Sequence, residues 1–230
     1  MNKQTTKAIV LRRVDYGDSD RIITVLTPEY GKLSLMAKGV RKINSKLAGG
    51  IELFAEFDAG FVMGRGEMGR LTSSRLIKFH KNIIKDIDRV QLGYEILKSF
   101  NHNIEDYVES GYFYLLCQLL GLLDEPLIPI TRLTIYYKAK LLSLAGHSPN
   151  LRTDEKSKPL KEDEIYNFNV QSMGFYLAEQ GKYKASHIKL MRMLFDSDDE
   201  SQIFKVNLKN KEDEDLKPLI DAMFKTHLSV

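Results

Sequence analysis

Residues 6–37 read TKAIVLRRVDYGDSDRIITVLTPEYGKLSLMA, and the order of residue types in this stretch decides the fold. Thr6–Val14 and Arg21–Thr27 are rich in β-branched residues, whose stiff side chains suit a pleated surface. Each run ends on a turn signal, Asp15-Tyr16-Gly17-Asp18 and then Thr27-Pro28-Glu29-Tyr30-Gly31. Gly31–Ala37 alternates, with Leu33, Leu35 and Ala37 on one face and Lys32, Ser34 and Met36 on the other. Further out, Glu52–Met63 and Arg70–Phe79 are two more strand-like runs, joined by Gly64-Arg65-Gly66-Glu67-Met68-Gly69. Five short strands with glycines at the joints predict a small barrel, because closure removes exposed strand edges. The count matches an OB-fold.

After His80 the hydrophobic period becomes helical. Ile83, Ile84, Ile87, Val90, Ile96 and Leu97 form one stripe, Tyr107, Phe113, Leu116, Leu120 and Leu123 a second, and Leu133, Tyr136, Ala139 and Leu142 a third. Arg152–Glu164 holds hardly an apolar residue and reads as a mobile polar loop. Further helices are expected at Ser172–Gln180, Lys184–Phe195 and Glu212–His227. The predicted class is α+β, with an OB-fold-like nucleic-acid-binding barrel over residues 1–80 and a helical domain over 81–230.

The chain has 230 residues, 43% of them hydrophobic, enough to bury a core without covalent staples. Its single cysteine, Cys117, excludes an internal disulfide and a multi-cysteine metal site. No apolar run reaches the length of a membrane span, and the N-terminus lacks the apolar stretch of a signal peptide, so a cytoplasmic protein away from membranes is expected. Charge is uneven: residues 1–80 hold 14 Lys/Arg and 8 Asp/Glu, a net of +6, whereas the whole chain carries +3. A polyanion would therefore meet the N-terminal part.

Enzyme signatures are missing. There is no phosphate-binding Gly-x-x-x-x-Gly-Lys-Ser/Thr loop and no Gly-x-Ser-x-Gly nucleophile elbow. Residues 64–69 match Gly-x-Gly-x-x-Gly, but they join two strands, whereas a dinucleotide site needs a helix N-terminus after the glycines. His80, His102, His147, His187 and His227 are dispersed, Cys117 sits in an apolar helical run with no basic partner nearby in sequence, and Asp196–Glu200 reads as a solvated acidic loop. No metal or other cofactor is expected. One segment stands apart: Lys32, Lys38, Arg41, Lys42 and Lys46 fall within residues 31–46 with no acid between them. On a small barrel, a strand end with a flexible basic loop is a path for phosphates, and Arg65, Arg70 and Arg75 extend it if they share that side. Tyr16, Tyr30 and Phe54 are candidates for stacking on bases, while Phe57 and Phe61 are expected inside the barrel.

Residues 8–27, with Tyr16-Gly17-Asp18-Ser19-Asp20-Arg21 at the turn and Leu26-Thr27 closing the second strand, resemble the opening of the bacterial recombination mediator family RecO. Gly31-Lys32-Leu33-Ser34 with Ala37-Lys38-Gly39-Val40-Arg41 is similar to the family's next block, and Gly69-Arg70-Leu71-Thr72-Ser73-Ser74 to its last barrel strand. Leu142 through Gly146-His147-Ser148-Pro149-Asn150-Leu151 is similar to its helix end. Many relatives follow with two Cys-x-x-Cys pairs that bind structural zinc. The matching positions here are about Thr153 and Lys156, then Leu177 and Gln180, so the zinc module is expected to be lost. The resemblance implies a non-enzymatic DNA repair and recombination mediator. Such proteins bind single- and double-stranded DNA, anneal complementary strands, and with RecR help load RecA onto strands coated by single-stranded DNA-binding protein (SSB). Lys184, Lys189 and Arg192, beside Ile188, Leu190 and Met191, offer a surface for the acidic, apolar tail of SSB, although the same residues read equally as an amphipathic core helix. Two other readings compete: an RNA- or ribosome-associated OB-fold module, and an interaction protein whose basic loop is incidental.

Overall fold

Alternation along the first strands sets which side chains turn inward. In the computed structural model, which describes residues 3–64, 66–105, 109–197, 203–204 and 210–228, five strands close into a barrel. They are β1 (Gln4–Tyr16), β2 (Asp20–Thr27), β3 (Gly31–Ala37), β4 (Ala55–Met63) and β5 (Met68–Phe79), in the order β1-β2-β3-β5-β4. This is the expected OB-fold-like barrel. Every ladder is antiparallel except β3 with β5, which is parallel and pairs only Ser34 with Met68, Leu35 with Gly69 and Met36 with Arg70. Val10, Ile23, Val25, Leu35, Phe57 and Phe61 fill the interior.

The outer face of β1 and β2 is covered as well. Ile9, Leu11 and Leu26 alternate with the interior residues, yet they are buried. Helix α1 (Ile87–Asn103) packs on β1, and Leu11 shares a cleft with Tyr94 and Leu97 of that helix. Asp86 caps α1 by accepting from the N–H groups of Asp88 and Arg89. The buried Arg89 guanidinium donates to the carbonyls of Leu123 and Pro126, both at 2.8 Å, satisfying orphan acceptors at the end of α2 (Gly111–Asp124). Tyr107, assigned above to the second stripe, lies outside the described residues. By compactness the chain divides into Met1–Pro126 and Leu127–Val230, so the barrel and the first two helices form one unit, although the hydrophobic period changes at His80.

In the second unit α3 (Ile130–Leu144) packs against α4 (Ala185–Asp196) and α5 (Asn210–His227). A small sheet accompanies them, β6 (Asn150–Asp154), β7 (Tyr166–Asn169) and β8 (Gly174–Leu177) in the order β6-β8-β7, and it corrects two expectations. The helix expected over Ser172–Gln180 is a turn followed by β8. The Asn169 side chain accepts from the N–H groups of Gln171 and Ser172, Met173 takes a left-handed φ of 53°, and Phe175 packs edge-on against Phe168 across the ladder. The polar stretch from Arg152 begins as strand β6 and turns on Asp154, whose carboxylate accepts from the N–H groups of Lys156 (2.9 Å) and Lys158 (2.8 Å). Local side-chain caps build this hairpin, so it needs almost no apolar residues. No described helix is long and apolar enough to cross a membrane.

Candidate nucleic-acid interface

The basic segment leaves β3 through a fixed turn. Gly39 takes a left-handed φ of 64°, and its N–H donates to the Asp20 carboxylate at 2.7 Å. The Arg41 N–H donates to the Ser19 carbonyl at 2.9 Å, Val40 and Ile51 plug into the barrel core, and the Ser74 hydroxyl donates to the Leu47 carbonyl at 2.8 Å. The loop expected as a flexible arm is therefore anchored by bonds and plugs, while Lys38, Arg41, Lys42 and Lys46 stand exposed.

The predicted cations do not share one environment. Lys38 and Arg70 line one cleft of about 500 Å³, with Met36, Val62, Gly64, Met68 and Gly69. Arg41 leans on the Asp15 carboxylate (3.5 Å) and the Gly17 carbonyl (3.4 Å). The hydrogen bond from Arg21 holds the Asp15 carboxyl below its usual range, and the charges of Arg41 and Arg13 add to that effect. Arg75 is 83% exposed and hydrogen-bonds Asp58 of β4 at 2.6 Å. Lys32 is committed elsewhere: its ammonium donates to the carbonyls of Asn101 (3.2 Å) and Ile104 (2.6 Å), the acceptors that α1 leaves open at its C-terminus. Arg65 lies outside the described residues. Of the stacking candidates, Tyr16 is exposed, Tyr30 packs edge-on against Phe61, and Phe54 is buried.

Sequence reasoning missed two features. One is the methionine-lined floor of the cleft, whose only signal was Met36 alternating with Leu35. The other is a partly buried polar cluster around the buried His80. His80 Nε2 hydrogen-bonds the Glu56 carboxylate at 3.1 Å, and Cys117 of α2 hydrogen-bonds the same carboxylate, so the thiol has a polar partner that its sequence neighbours do not reveal. Burial and the Glu56 charge push the thiol up to about 12, which leaves it protonated and unreactive as a nucleophile at neutral pH. His80 holds Glu56 in its charged form, lowering the carboxyl.

In the second unit the Lys184 N–H donates to His187 Nδ1 at 3.1 Å, Lys189 pairs with Glu162 at 2.9 Å, and Arg192 donates twice to the Leu151 carbonyl. Ile188, Leu190 and Met191 are buried in the core. Asp198, Asp199 and Glu200 lie outside the described residues. Thr153, Lys156, Leu177 and Gln180 supply neither thiolate nor imidazole, a donor set that does not fit zinc. Among the described residues no group of three or more His, Cys, Asp or Glu is placed to hold a metal.

Comparison with known families matches residues 1–80 to the one described as Recombination protein O N terminal and residues 105–230 to Recombination protein O C terminal. A protein of Bacillus mycoides named DNA repair protein RecO is 31% identical over 204 residues, covering 85% of this chain and 80% of its own length. The protein of the same name from Halalkalibacterium halodurans is 32% identical over 170 residues, 74% of this chain and 65% of its own length. A third, from Dehalococcoides mccartyi, is 31% identical over 148 residues, 64% of this chain and 58% of that protein.

Proposed function

Because this chain belongs to the recombination protein O family of DNA repair and recombination proteins, we propose that it is a mediator that binds single- and double-stranded DNA on its barrel and anneals complementary strands. The observation that carries the reading is the pair Lys38 and Arg70 on one cleft, with Lys42 and Lys46 exposed on the loop that follows β3 and no acid within residues 31–46. Annealing requires two polyanions to approach, and neutralising phosphates with release of counterions lowers that barrier without covalent chemistry. The same reading makes RecR, RecA and the acidic tail of SSB its partners, with Lys184 exposed toward that tail, Lys189 exposed but paired with Glu162, and Arg192 held to the backbone.

Fluorescence anisotropy of a labelled single-stranded oligonucleotide across a salt series tests the proposal. Replacing Lys38, Lys42, Lys46 and Arg70 together by Glu spares Arg41, which leans on the Asp15 carboxylate. The variant is expected to lose affinity and to flatten the log–log slope by about 3, roughly 0.7 for each lost phosphate contact. An unchanged slope in a folded variant would move the DNA path elsewhere, and stronger binding to RNA of matched sequence would favour an RNA-binding module.

A further inference from the structure

We propose that the cleft at the β3–β5 seam is a base-insertion pocket: one nucleobase seats on Met36, Val62 and Met68, and Lys38 and Arg70 hold the phosphates on either side. This inference rests on the single-strand reading above and goes beyond it by separating the base from the backbone. Residues directly opposite in a ladder share a face, so Met36, Arg70 and Val62 form one row across three strands on the outside of the barrel. Met68 lies two residues along from Arg70 on the same face, and Lys38, just past the end of β3, lines the same cleft. Gly69 faces the interior instead, where an added Cβ would stand 2.8 Å from both Leu35 Cδ2 and Met63 Sδ.

The result is an apolar floor of Met36, Val62 and Met68 around Arg70, with Lys38 just past the end of β3, and no carboxylate or aromatic ring among the described lining residues. Met68 is 42% exposed, a thioether left in water. A volume of about 500 Å³ lies within the usual range for a small-molecule site. An inorganic anion would satisfy the cations and leave the floor wet, while a purely apolar ligand would leave both cations facing it unpaired. A flat π-system joined to anions on both sides satisfies all five side chains. Polarisable sulfur makes favourable contact with aromatic rings, so methionine serves here in the stacking role that aromatic residues fill on other single-strand surfaces.

The test compares two labelled strands bound to the full chain, an ordinary single-stranded oligonucleotide and one of equal length made entirely of abasic residues, each across the same salt series. The wild type is expected to bind the abasic strand about tenfold more weakly with the same slope, since a base contact releases no counterions. Met36→Ala/Met68→Ala should lose a similar factor on the ordinary strand, again with the slope retained, and should bind the abasic strand as the wild type does. Met36→Leu/Met68→Leu, which keeps the apolar floor, should recover much of the loss, and melting curves check that each variant is folded. Equal binding of the ordinary strand by the alanine variant and the wild type, with the salt slope intact, would overturn the pocket and leave the DNA-binding reading standing. Abasic and ordinary strands bound alike by the wild type would also overturn it, in favour of an apolar side chain from an acidic protein segment as the occupant. No binding of either strand at low salt would sink both.

Discussion

Arg132 and Asp213 retain only 4% and 2% of their side-chain exposure. The guanidinium donates through Nε to both carboxylate oxygens, at 3.0 and 2.9 Å, and through Nη1 to the Ile203 carbonyl at 3.2 Å. Attraction inside such a pair roughly offsets lost hydration, so removing both partners is nearly neutral while removing one strands a buried charge. Asp213→Ala is therefore expected to cost about 3–5 kcal/mol, and Arg132→Met/Asp213→Leu to regain most of it, as read from urea midpoints. A single variant as stable as the double would contradict this. Asp221 is a milder case. Burial works to raise its carboxyl, but hydrogen bonds from Lys138 (2.7 Å) and Lys217 (2.9 Å) outweigh burial and hold it below the ordinary 3.8. A carboxyl lowered on folding contributes stability that is whole above that value and fades as pH falls through the folded one. Asp221→Asn should thus be less stable than wild type at neutral pH, by about 1 kcal/mol or less, with the gap closing in acid. The Arg132–Asp213 pair was not legible in the sequence, since the two are 81 positions apart and each looks like any polar residue on a helix, whereas Lys217 and Asp221 stand at the four-residue spacing of a helical pair. Lys38, Lys42 and Lys46 needed only an exposed loop, whereas Lys32, in the same basic run, is claimed by the end of a helix some 70 positions away.

Elements were legible wherever a periodic pattern ran long enough to choose between strand and helix. β1 to β3 carried clear alternation and turn residues, and α1 to α3 carried broad apolar stripes. β8 did not, because Gly174–Leu177 is only 4 residues long and its partners Phe168 and Tyr166 lie in a separate run. The docking of α1 was hidden as well. It depends on Phe54, which takes a left-handed φ of 62° at the mouth of β4 and accepts a hydrogen bond from the His80 N–H at 3.1 Å. Its ring fills the space that Gly93 leaves on α1 and meets Tyr94 edge-on. Helix propensity alone favours Ala over Gly at position 93 by about 1 kcal/mol. The added Cβ would stand 2.7 Å from Phe54 Cε1 and 3.2 Å from Leu123 Cδ2, against a buried ring with little room to move. Overpacking should win, and Gly93→Ala is expected to destabilise by about 1–2 kcal/mol. In Gly93→Ala/Phe54→Leu the two losses should sum to less than their separate values, measured by thermal melting. Full additivity would mean that the glycine and the ring do not meet.

Across the whole molecule, charge and hydrophobic period both change near residue 80, but compactness places the limit of the first unit at Pro126. The outer face of β1 and β2 is the reason. Ile9 and Leu26 are fully buried and Leu11 nearly so, although none belongs to the barrel interior, and α1 is the element that lies on β1. Alternation in sequence marks interior positions; it is silent about a second apolar row until the helix that covers it is seen. Polar ties reinforce the same unit. The Asp124 carboxylate accepts from the N–H groups of Asn82 (2.7 Å) and Ile83 (3.3 Å), and Lys32 closes the end of α1. A fragment of residues 1–126 is therefore expected to melt in one cooperative transition and to keep the salt-dependent binding of single strands. A fragment of residues 1–80 should expose Ile9, Leu11 and Leu26 together and leave Lys32 without its carbonyl acceptors. Contiguous apolar surface of that kind drives association, so the shorter fragment should sediment as aggregates or show no cooperative melt. If circular dichroism gave both fragments the same transition temperature, the helices would be a separate layer and the barrel would stand by its interior alone.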